Sequence, residues 1–185
     1  MEKLAALFIL SAEKLCITAD YQAELNRMFL ENPKDDLLLE IETLGIPENY
    51  NSWSKIWDLL EGRISDRSLF EKEFFAALGN FYDMYCISDE EYEEILARFG
   101  ADWEARGAYY RETGKITLWE FSERCFKAAH SINIDQKLEN VLMNPHYAYE
   151  NMDRHAGELH KTDEEYIEEI RQNFRKTFDY YKENK

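Results

Sequence analysis

Only seven glycines and three prolines interrupt 185 residues, and nearly every one falls at the edge of an apolar pattern with helical spacing. Apolar side chains recur three and four residues apart at Tyr21, Leu25, Met28 and Phe29; at Phe70, Phe74, Ala77, Phe81 and Tyr85; and at Tyr166, Ile170, Phe174, Phe178 and Tyr181. No segment sustains the period-two alternation of a half-buried strand. The expectation is an all-α chain without β-sheet, a single compact domain over residues 1–185 built from about eight to ten helices around one core.

The first helix, over about 3–16, is apolar on most of its circumference (Leu4, Leu7, Phe8, Ile9, Leu10, Leu15), which implies that other helices wrap it. In Asn32-Pro33-Lys34-Asp35-Asp36, Asn32 can cap and Pro33 suits a first helical position, while Gly45 and Pro47 mark the end, so a helix is expected over about 33–44. Further helices fit about 52–61, 66–86, 89–99, 102–111, 118–130, 134–143 and 162–183. Asn144 to Lys161 is the least regular stretch.

Acid dominates the charge: 38 Asp and Glu against 22 Lys and Arg, a formal −16. A field of that sign repels nucleic-acid phosphates and anionic lipid and favours a basic protein partner. The 45% hydrophobic and 15% aromatic content is that of a globular chain, not a disordered tail. No run reaches the roughly 20 apolar residues of a membrane-spanning helix. At the N-terminus the apolar run Leu4 to Leu10 is short and Glu13-Lys14 interrupts it, which argues against a signal peptide. Cys16, Cys86 and Cys125 are odd in number and widely spaced, so they read as reduced core thiols and the expected compartment is cytoplasmic.

Two acidic runs stand out, SDEEYEEI from Ser88 and TDEEYIEEI from Thr162. Ser88 with Glu91 and Thr162 with Glu165 each fit the S/T-x-x-E capping box, and carboxylates in a first turn favour the helix dipole. The shared context ends there, so the runs are not an internal repeat. Glu94 and Glu169 lie past the first turn, where the dipole no longer explains them. Residues 33–62 carry two lysines against seven acids and residues 88–112 three arginines against eight, so these two segments hold −10 of the total −16. The C-terminal helix follows its acidic start with Arg171, Arg175, Lys176, Lys182 and Lys185, an order that complements the dipole, and its run reads as structural.

Among the acids lie Tyr50, Trp53, Trp57, Tyr92, Trp103, Tyr109 and Tyr110, residue types that carry interface energy but also fill cores. Trp53 and Trp57, one turn apart, read as core. The candidate partner-binding residues are therefore Asp35, Asp36, Glu40 and Glu42 in one segment, and Asp89, Glu90, Glu93, Glu94, Tyr92 and Trp103 in the other.

Motifs for chemistry are weak. Thr113 to Phe121 resembles half of a calcium loop, but the preceding ligand positions would be Tyr109, Arg111 and Thr113, which supply no carboxylate; Thr117 with Glu120 explains the stretch as a helix start. His146, His155, Glu158 and His160 form the one metal constellation with any proximity, at spacings that match no strong ligand pattern. Gly107 to Ile116 does not match a phosphate loop, and no nucleophile motif or cofactor signature is present. The reading is of a binding protein rather than an enzyme, without cofactor.

The acidic composition and the stretch NPKDDLLLEIETLG, Asn32 to Gly45, resemble the small acidic immunity proteins that bacteria make against contact-delivered and other polymorphic toxins. The resemblance implies neutralisation of a cognate toxin, often a nuclease, by direct binding; no functional residue carries over. Three other readings remain open: a metal-dependent helical-bundle enzyme using the histidine constellation, an acidic decoy that mimics DNA, and a helical scaffold exposing a large apolar patch.

Overall fold

The computed structural model describes residues 1–44, 50–131, 142–148 and 162–183. Its elements are α1 (Glu2–Ala12), α2 (Thr18–Glu31), α3 (Asp36–Leu44), α4 (Tyr50–Glu61), α5 (Arg67–Tyr85), α6 (Asp89–Phe99), α7 (Trp103–Thr113), α8 (Leu118–Ser131), α9 (142–148) and α10 (Asp163–Glu183). Among the described residues there is no strand, and the all-α single domain expected from the sequence is what forms.

α1 is the central element. Leu4, Ala5, Ala6, Phe8, Ile9 and Leu10 are completely buried, and α2, α4, α5 and α8 pack around them. From Phe8 a line of stacked and tilted rings runs through Trp53, Trp57, Phe70 and Phe74, so the tryptophan pair lies in the core as its spacing indicated. A second group, Tyr82, Phe121, Phe174 and Phe178, joins α5, α8 and α10. Rings of this kind exclude water over large areas and add edge-to-face and offset contacts to the burial.

Two helix boundaries differ from the sequence reading. α1 ends at Ala12 instead of continuing to residue 16, because Lys14 adopts φ 55° and reverses the chain. The Leu15 amide donates to Leu10 O (2.6 Å) and the Lys14 amide to Ser11 O (3.1 Å), which is the Schellman pattern of helix termination. Nor do Asn32 and Pro33 start α3. Asn32 closes α2 through its amide to Met28 O (2.9 Å), and Asp35 N to Asn32 O (3.1 Å) closes a turn with Pro33 at its second position. The cap of α3 is Asp35, whose Oδ1 accepts from Leu37 N at 2.9 Å.

The expected helix over 134–143 falls mostly outside the described residues. The stretch from Asn144, read as irregular, is helical as far as residue 148, and residues 149–161 lie outside the description. Cys86 and Cys125 are buried as expected; Cys16 is not a core residue but half-buried beside the Lys14 turn, where its thiol lies 2.9 Å from Ser11 Oγ. Burial pushes the Cys16 thiol up to about 11 and Cys86 up to about 12, so neither supplies a thiolate at neutral pH.

Candidate functional site

α6 and α7 form a helical hairpin that packs chiefly on itself. Each helix buries a single residue, Ile95 in α6 and Arg106 in α7. The hairpin is closed at its base where the chain leaves α5 and enters α8: Ile116 N donates to Tyr85 O (2.9 Å) and Ile87 N to Ile116 O (3.0 Å), an isolated parallel bridge. α6 then starts with the complete capping box read from the sequence, Glu91 N to Ser88 Oγ (3.2 Å) and Ser88 N to Glu91 Oε2 (3.0 Å). Thr162 and Glu165 make the same reciprocal pair at the start of α10.

Two ion pairs fasten this base. Arg171 of α10, largely buried, donates to Asp89 Oδ1 through Nη2 (2.6 Å) and Nε (3.1 Å), and to the Ile87 carbonyl through Nη1 (3.1 Å). Lys115 reaches Glu91 Oε1 at 3.2 Å. Asp89 thus has an internal task besides any external one. The Ser88 amide first, and then Lys115, hold the Glu91 carboxyl below its usual value despite partial burial.

Beyond the base the hairpin turns its charge outward. Glu93 and Glu94 are exposed and make no ion pair among the described residues, whereas exposed Glu90 is engaged by its own amide and then the Ser88 hydroxyl, with Arg171 and Arg175 nearby, which lowers its pKa. Arg98, one turn beyond Glu94, lies instead over the Phe99 ring, 4.8 Å from its centroid. Tyr92 is exposed on α6, and Trp103 at the start of α7 is 79% exposed, its ring faced by the Arg106 guanidinium at 4.2 Å. Large aromatics left in water on an acidic hairpin cost solvation without adding to the core. At the hairpin base a hollow of about 270 Å³ is rimmed by Tyr92 and Trp119 and floored by Arg171, Ile87 and Ile167.

The other acidic cluster is spent differently. Asp35 caps α3 and pairs with Arg63 (2.9 Å); burial opposes its ionisation, but Arg63 and the Leu37 and Leu38 amides outweigh it and lower its pKa. Glu40 pairs with Lys55 at 2.6 Å. Asp36 and Glu42 are exposed. α3 packs on α2 and α4, whereas α6 packs on α7, and among the described residues the two acidic helices make no substantial contact with each other.

Of the histidine constellation, His146 packs among aromatic rings, 5.2 Å from Trp119 and 4.5 Å from Phe126 between centroids. His155, Glu158 and His160 lie outside the described residues, and among the described residues no group of three His, Cys, Asp or Glu side chains is placed to hold a metal. Among the same residues no helix is long and apolar enough to cross a membrane.

Sequence reasoning located the acids of the hairpin but not the hairpin itself. Its closure depends on Cys86 meeting Ile116 and on Asp89 meeting Arg171, contacts that leave no local pattern. Comparison with protein-family models, with curated proteins and with solved structures found no match to this chain.

Proposed function

We propose that this chain is an acidic, non-enzymatic binding protein that neutralises a basic protein partner, as an immunity protein does its cognate toxin, and that the α6–α7 hairpin is its docking element. One observation carries the reading. The hairpin contributes almost nothing to the core, yet it carries exposed Glu90, Glu93 and Glu94, the last two without an ion pair among the described residues, together with the exposed Tyr92 and Trp103. Aromatic anchors supply contact energy at interfaces, and an acidic field steers a cationic partner to them, raising association rates up to about 10⁸–10⁹ M⁻¹s⁻¹ in the best-steered cases. Asp36 and Glu42 of α3 add to the long-range field, while Asp35 and Glu40 are engaged by Arg63 and Lys55.

The test is a low-salt pull-down from the producing organism, eluted with rising salt and identified by mass spectrometry, followed by association kinetics with the captured protein. Reversing Glu90, Glu93 and Glu94 to lysine slows association and flattens its salt dependence, and a toxic activity of the partner is suppressed in the complex. Association rates indifferent to that reversal would remove the hairpin from the interface.

A further inference from the structure

In a chain of net charge −16, one cavity has the opposite sign. It occupies about 590 Å³ in the gap between α7 and the body, and its cations are Lys14, Arg111, Lys115 and Arg124 against a single lining carboxylate, Glu120. Arg124 is committed to Glu120 (2.5 Å) and to the Lys14 carbonyl (2.7 Å), and Lys115 to Glu91. Lys14 and Arg111 have no ion-pair partner among the described residues. Two of the four charges are thus already compensated, and Lys14 and Arg111 leave the cavity a positive surplus that an anion between them would relieve.

Two backbone features accompany Lys14 and Arg111 at the cavity. Lys14 sits in the left-handed conformation, φ 55°, at the helix-terminating position where glycine carries no steric penalty. Gly107 lies in the interior of α7, where glycine is a poor helix former; a Cβ there would stand 3.2 Å from Arg111 Nη1, so its absence lets the guanidinium fold back along the helix at the cavity. Helix termination accounts for the Lys14 conformation, and its effect here is to set the lysine at the mouth of the same cavity that Arg111 borders.

The remaining walls combine aromatic rings with Cys16, Ile17 and Ile116. Phe81 and Tyr85 of α5, 4.9 Å apart between centroids, and Tyr110 of α7 line the same space. The volume falls within the usual range for small-molecule sites, roughly 300–1,000 Å³. We infer that this cavity binds a phosphorylated small molecule carrying a flat ring, of nucleoside-diphosphate size, with Lys14 and Arg111 on the phosphates and the Tyr85 and Tyr110 side of the cavity against the ring. Guanidinium and ammonium donors bind phosphate oxygens through charge-assisted hydrogen bonds, and aromatic faces accept any base. The cavity shares α7 with the proposed docking hairpin, but none of the acids and aromatics assigned to docking lines it, and its test needs no partner protein.

Isothermal titration of the full chain at low salt tests it, with inorganic pyrophosphate, adenosine, and the diphosphates of adenosine, guanosine, cytidine and uridine as probes. The expected order is at least one diphosphate tighter than pyrophosphate, with adenosine weakest. R111Q and K14G each weaken the diphosphate by roughly tenfold or more. K14G also relieves the left-handed strain, so its melting temperature is unchanged or higher, which separates loss of binding from loss of fold. Absence of binding by every diphosphate at millimolar concentration, or binding undiminished in both variants, overturns the proposal. Equal affinity for pyrophosphate and all diphosphates overturns the part played by the ring.

Discussion

Glu2 is a buried carboxylate at the start of the central helix, and it shows how one residue can fix an element's position. Its Oε1 accepts from the Ser65 amide (2.9 Å), the Ser65 hydroxyl (2.9 Å) and the Asp66 amide (3.1 Å), tying α1 to the connection between α4 and α5. Burial pushes the pKa up, but those amides, with that of Glu2 itself and the hydroxyl, outweigh it and hold the group well below the usual carboxylate range. A depressed folded-state pKa means that the stabilisation is complete above the unfolded-state value, near ~4.3, and is lost as pH falls through the folded one. E2Q is therefore expected to lower the unfolding free energy by about 1–3 kcal/mol at neutral pH, because donors once satisfied by a charged acceptor face a weaker one. Urea titrations of both proteins should show that difference narrowing below about pH 4. A difference constant from neutral to acid pH would assign the effect to shape instead of charge. Nothing near Glu2 in the sequence announces its tie to the α4–α5 connection, since the Ser65 and Asp66 groups it accepts from are more than 60 residues away.

Between elements, one close constraint is the approach of α10 to α5. A Cβ on Gly79 would lie 3.1 Å from both Cβ and Cγ of Phe178, atoms close to the α10 backbone that have little freedom to withdraw. Alanine improves helix propensity by up to about 1 kcal/mol, but here it overpacks a rigid contact, at a typical cost of about 1–3 kcal/mol. G79A is thus expected to be neutral to destabilising by up to about 2 kcal/mol in chemical denaturation; a clear gain in stability would show that the helices separate at little cost. What the sequence disclosed at this scale was local. The capping boxes at Ser88 and Thr162 were legible because both partners lie three residues apart, and the core periodicity of α5 and α10 because it repeats along one helix. Asn32-Pro33 was misread because the same residue types serve a turn as well as they serve a helix start. The end of α1 was missed because a lysine stands where glycine ordinarily signals termination. The hairpin and the cationic cavity depend on encounters between distant segments, which no spacing encodes.

For the molecule as a whole, the question is whether the acidic surplus is used or merely tolerated. A net charge of −16 repels itself, and on α6 the carboxylates of Asp89 and Glu93, and of Glu90 and Glu94, are spaced one turn apart with the same sign. Removing Glu93 and Glu94 touches neither the capping box nor the Asp89–Arg171 pair, so E93Q/E94Q leaves the architecture of the hairpin intact. The double variant is expected to melt about 1–3 °C higher at low salt, because each substitution relieves a like-charge pair. That gain should fade toward ~1 M salt, where the screening length falls to about 3 Å. A surface that is only solvated predicts this result and nothing more. A docking surface predicts a second effect in the opposite direction: the more stable variant associates more slowly with the basic partner, and that deficit fades over the same range of salt. Higher stability with unchanged association would identify the acids of α6 as surplus charge and remove the main support for docking by the hairpin, whereas the two effects moving oppositely would show stability given up for recognition.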